Sequence, residues 1–146
     1  MESRVTVKTI DPRAIARLVL ESAGDDRIIL SVPGTDYRLH LAPAVPAKPI
    51  ATPPGKRLKG AIHARALRIH PAKGGGRFIE PIDGMPRIVA GAVLSVDAEA
   101  RQAIVDVGVP MVVSMREDQD LSVLVEGELV NFYVESGATF APIDSR

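Results

Sequence analysis

The chain of 146 residues carries 18 Lys and Arg against 18 Asp and Glu, and 46% of it is apolar although only 3% is aromatic. That suits one domain burying about two thirds of its unfolded surface, and 25% charged residues is too ordinary for wholesale disorder. With no cysteine, disulfides, thiol nucleophiles, iron–sulfur clusters and cysteine zinc sites are excluded. No stretch matches a signal peptide or the ~20 apolar residues of a membrane span, so the expectation is a cytoplasmic protein with no membrane partner.

Asp11 and Pro12 suit the cap and first turn of a helix. Ile15, Leu18, Val19 and Ser22 then share one helical face and Gly24 suits the end, which predicts a helix over 11–23. In "RIILSVPGTDYRLHL" two apolar runs flank Pro33-Gly34, the central pair of a type II turn, and predict a hairpin with Leu39 and Leu41 inward and Arg38 and His40 outward. Residues 43–57 contain five prolines, which favour extended geometry and weaken any ladder. The expected organisation is therefore an N-terminal helix and hairpin over 1–44, a proline-rich linker or crossing over 45–57, and a main body over 58–146.

In "LKGAIHARALRIH" the residues Ile62, Ala64, Leu67 and Ile69 share a face only if the alternation slips near Ala66, as at a β-bulge. His63, Arg65, Arg68 and His70 then point outward. The runs "RFIE", "IVAGAVLSV", "QAIVDVG", "VPMVVSM" and "LVNFYVE" follow with turn signals between them, the spacing of a sandwich or closed barrel. The order from residue 58 onward resembles an OB-fold or related small barrel. The expected class is thus mainly β, an OB-like small β-barrel with an N-terminal helix-hairpin element. The segments "GGGRFIEP", "GMPRIVAGAVLSVD" and "NFYVESGATF" also resemble an uncharacterised bacterial protein type, a resemblance that implies no activity.

The zero net charge hides a division. Residues 1–75 hold 13 Lys and Arg against 6 acids, and residues 76–146 hold 5 against 12. No acid stands between Tyr37 and Ile79. Within that band, Arg38, Lys59, Arg65, Arg68, Lys73 and Arg77 are the candidate polyanion contacts, because several cations on one surface neutralise phosphates and release counterions. Tyr37 and Phe78 border the band and are the candidate stacking rings.

The stretch "PAKGGGRFIE" has its lysine before the glycines and a strand after them, so it is no P-loop. It reads as a hairpin loop, with a binding loop as the alternative. His40, His63 and His70 fall on strands without the converging ligands a metal needs, so no metal and no cofactor is expected. Glu117, Asp118, Asp120, Glu126 and Glu128 lack the spacing of a calcium loop. No nucleophile elbow or Ser/His/Asp grouping stands out, and the expectation is not an enzyme.

Several runs are apolar at both alternating sets of positions, as in strands covered on both faces. A single helix could not cover so many, which predicts a homo-oligomer or a protein partner. Two functions follow from these readings. The first is a scaffold module that self-associates or docks into a larger assembly, and the second is a β-barrel that binds nucleic acid or another polyanion through residues 38–77.

Overall fold

The first element is decided by a period of two. In the computed structural model, which describes residues 11–44, 49–135 and 137–143, Ala16, Leu18 and Leu20 are buried while Arg17 and Glu21 are exposed. The helix expected over 11–23 is therefore corrected to a 3-10 turn, Pro12–Ala14, followed by strand β1, Ala16–Ala23. The cap signal is real, since the Asp11 side chain accepts the Arg13 N–H at 2.9 Å. Beyond the turn, a helix would set Leu18 on the side opposite Ala16 and Leu20, whereas a strand buries all three together.

Strands β2, Ile28–Ser31, and β3, Arg38–Pro43, form the expected antiparallel hairpin. Gly34 has φ +80 and the Thr35 N–H donates to the Val32 carbonyl at 3.1 Å, the geometry of a type II turn. Leu39 and Leu41 are buried and Arg38 is exposed. Within the proline-rich stretch, residues 45–48 lie outside the described residues, and residues 49–56 join no strand.

The remaining strands are β4, Arg57–Pro71; β5, Phe78–Glu80; β6, Asp83–Gly84; β7, Ile88–Asp97; β8, Gln102–Asp106; β9, Pro110–Ser114; β10, Leu129–Val134; and β11, Thr139–Pro142. A second 3-10 turn, Leu121–Val123, is capped by Asp120. The fold is mainly β. The eleven strands of the described residues join one sheet. Ladders run β4–β10–β7–β8–β9 and back to β4, a partial ring of five strands. A further set of ladders runs β4–β1–β2–β3–β11 and returns to β4. Buried residues of both sets, among them Leu30, Ile62, Phe140, Val89, Val113 and Phe132, belong to one apolar cluster. No helix among the described residues is long and apolar enough to cross a membrane.

Strand β4 slips its alternation as the sequence requires, but two residues later than expected, between Ala66 and Ile69 instead of between Ala64 and Leu67. Ala66 and Ile69 are buried and pair with Val134 and Phe132, so Leu67 and Arg68 together oppose Tyr133 in a β-bulge. Leu67, expected inward, is thus exposed, because the smaller Ala66 takes the inward position. The loop 72–77 is likewise no hairpin, since β4 and β5 pair with different partners, β10 and β7. Gly75 and Gly76 take φ +88 and +70 in open space, so these glycines serve the backbone turn and not a close approach.

Gly60 serves the opposite purpose. A Cβ there would overlap the Phe140 ring and stand 2.6 Å from the Ala141 carbonyl oxygen. The missing side chain is the space that Phe140, fully buried, occupies. Gly60→Ala is expected to destabilise the fold by about 1–3 kcal/mol through overpacking, measured as a lower urea midpoint with little change in slope.

Candidate functional site

The outward side of β4 carries Arg57, Lys59, His63, Arg65, Arg68 and His70, because alternation sends Leu58, Gly60, Ile62, Ala64, Ala66 and Ile69 inward. Alternate residues of a strand stand about 6.6 Å apart, so these side chains form a basic rail along the strand. At its start Lys59 lies directly opposite Arg17, and Arg57 opposite Val19. Arg17, Arg57 and Lys59 line a cleft of about 560 Å³ walled by Pro49, Ile50, Ala51 and Thr52. Like charges placed across a ladder repel one another. An anion between them would relieve that cost.

The other candidate contacts are placed differently. Arg38 makes ion pairs with Asp83 at 3.2 Å and Glu21 at 3.8 Å, and His40 Nε2 stands 2.8 Å from the same Asp83. The parallel pairing of β6 with β3 brings Asp83 there, and the His40 hydrogen bond, helped by Arg38, holds the Asp83 carboxyl below the usual carboxylate range. Arg77 meets Asp106 at 2.6 Å. Basic and acidic halves of the sequence therefore meet within the chain at Asp83, whereas Arg77 and Asp106 both belong to the acidic half. Among the described residues, no carboxylate comes within ion-pair distance of Arg17, Arg57, Lys59, Arg65, Arg68 or Lys73. Lys73 is exposed in the glycine loop.

Of the two rings proposed for stacking, Tyr37 packs against the core and its hydroxyl accepts the Ile79 N–H at 3.2 Å. Phe78 is half-buried beside Ala90. The ring that the structure does expose is Tyr133, 57% accessible and opposite the bulge. Sequence alternation alone would have found it, since Val130 and Phe132 are inward and Tyr133 falls between them and Val134. Arg17 was hidden by the helical reading of its segment.

The bulge is held from the side away from β10. The Gln119 side chain accepts the Ile69 N–H at 2.9 Å and donates to the Ile69 carbonyl at 2.6 Å, continuing the ladder where β9 stops. The loop bearing Gln119 is itself held by Arg101, whose guanidinium donates to the carbonyls of Arg116, at 2.9 Å, and Gln119.

A second concavity, of about 430 Å³, lies where the sheet's outer face is covered by the chain itself. Its floor is one cross-strand row, Ser95, Ile104, Val112 and His63. The turn bearing Ala14 and the end of β11, Pro142 and Ile143, border it, and Arg13 ties that turn to β7 by donating to the Leu94 carbonyl at 3.2 Å. Ile104, an outward apolar residue of the kind that predicts a partner, is thereby only 8% exposed. The same walls desolvate His63 and lower its pKa below the ordinary histidine value. No group of three metal-ligating side chains forms among the described residues.

Gln119→Ala leaves both backbone groups of Ile69 unpaired on that side. The expected cost is about 1–3 kcal/mol, with faster hydrogen exchange at the Ile69 amide. For His63, the unfolded chain binds a proton near pH 6.5 while the folded chain resists it, so stability rises with pH across that window and falls as the pH drops below about 6.5. A urea titration from neutral to mildly acidic pH should show this loss, and His63→Gln should reduce it. Compared with protein-family models, curated proteins and solved structures, the chain matches none.

Proposed function

We propose that the protein is a non-enzymatic, cytoplasmic module that binds nucleic acid or another polyanion on an OB-like small β-barrel, with the outward side of β4 and the neighbouring Arg17 as its contact surface. The observation that carries this reading is the contrast between two kinds of cation. Arg38 and Arg77 are compensated by Asp83 and Asp106, whereas Arg57, Lys59, Arg65 and Arg68 share one side of one strand and, among the described residues, form no ion pair with a carboxylate. The five-strand partial ring supports the barrel reading. The cations of β4 fall into two groups, Arg57 and Lys59 at its start and Arg65 and Arg68 towards its end, on either side of the buried Ala61 and the walled His63.

A second reading has the chain acting as a scaffold that joins copies of itself or a larger partner. It is favoured by Ile82 and Met85, 56% and 47% exposed on the connection between β5 and β7. Apolar side chains of that size commonly mark contact surfaces when they cluster.

Fluorescence anisotropy with labelled DNA and RNA from about 50 to 200 mM salt tests the first reading. The expected result is binding that weakens steeply with salt, and a slope that flattens by about 0.7 to 0.9 for each phosphate left without its cation in Lys59→Ala or Arg65→Ala. No binding at the lowest salt overturns it. Light scattering on the same preparation separates the two: a monomer at high concentration removes self-association from the scaffold reading.

A further inference from the structure

We infer that the ligand is a single-stranded nucleic acid and that the bulge of β4 with Tyr133 is the platform on which one of its bases stacks. This rests on the polyanion reading and names its substrate class. Three observations converge on the platform.

The first is register. Phe132 pairs with Ile69 and Val134 with Ala66, which leaves Tyr133 alone opposite both Leu67 and Arg68. Because Phe132, Ile69 and Ala66 are buried, the three side chains between them share the outward side. Tyr133 is 57% and Leu67 42% exposed, while Phe132 and Phe140 are buried. An exposed ring flanked by an aliphatic side chain and a guanidinium presents a flat apolar face with a cation beside it.

The second is rigidity. A bulge re-aims side chains, and this one is fixed on one side by the β10 ladder and on the other by the two hydrogen bonds from Gln119. Arg68 is therefore presented from a held backbone and not from a loop.

The third is the neighbouring row. His70, Asn131, Ala90 and Phe78 lie side by side across β4, β10, β7 and β5. His70 and Asn131 offer polar groups to base edges next to the ring, and Arg65 lies two residues before Leu67 on the same side of β4. The row through Tyr133 continues to Ile88 and ends at Glu80, which bounds the platform with negative charge. Glu135 follows on the β10 side, its N–H donating to the Arg65 carbonyl at 2.7 Å.

Stacking on such a face needs a base whose own face is free. In a duplex both faces are covered by neighbouring pairs, whereas a single strand can splay a base onto an aromatic ring while its phosphates meet arginine. The platform thus selects strandedness, and the rail supplies salt-dependent affinity.

The experiment compares a short labelled DNA strand with the same strand annealed to its complement, using the intact chain, Tyr133→Leu, Tyr133→Phe and an Arg65→Ala, Arg68→Ala double variant. The expected result is tighter binding of the single strand, a loss of about 5- to 150-fold in Tyr133→Leu, near-full affinity in Tyr133→Phe, and a flattened salt slope only in the arginine variant. Binding of heparin, a polyanion without bases, should be unaffected by Tyr133→Leu. Equal affinity for duplex and single strand, a Tyr133→Leu variant with unchanged affinity, or a parallel loss of heparin binding overturns the stacking inference and leaves the polyanion reading standing. No salt-dependent binding of any probe overturns both.

Discussion

A strand of fifteen residues with partners on both edges is the constraint around which this fold is arranged. One edge of β4 meets β1 and then β9, and its ladder is continued by the Gln119 side chain; the other edge meets β11 and then β10. Most strands run about 5–6 residues, and one this long twists too far to stay in register with a single neighbour on each side. The changes of partner along β4 accommodate this, and each has a local cause. Gly60 admits the Phe140 ring beside β11, and the Leu67–Arg68 bulge turns the strand along β10.

The same constraint organises the charge. Because both edges of β4 are occupied and its inward side is apolar, cations on this strand have only the outward side available. Elsewhere the chain neutralises its own basic residues: Asp83 reaches Arg38 and His40 through the short parallel β6 pairing, and Asp106 reaches Arg77. Net charge is zero over the whole chain, but compensation is uneven in space, and a field that survives on one surface can recruit a ligand of opposite sign.

Much of the body was legible from residue 28 onward. The Val32–Thr35 turn, the hairpin around it, the outward basic residues of β4 and the need for a bulge all follow from turn chemistry and a period of two. The beginning of the chain was not. Asp11-Pro12 is a true cap signal, yet a cap says where a helix can begin and nothing of how far it continues; the spacing of Leu18 and Leu20 fits a short strand once neighbouring strands exist to pair with it. Strand β11 has only four residues, too few for a pattern to stand out.

By itself, the sequence determined that the fold is mainly β and which residues of the β2–β3 hairpin and of β4 up to Arg65 face inward, because alternation depends only on neighbours along the chain. It also determined that the middle of the chain would be basic. Which of the described cations meet a carboxylate was decided by tertiary structure, since Arg38 and Arg77 reach theirs 45 and 29 residues away. So were the pairing of Arg17 with Lys59, the placing of Tyr133 against the bulge and the covering of Ile104. Each depends on which strands become neighbours, and that choice is made by burying one shared apolar cluster, a property of the whole chain that no short segment contains.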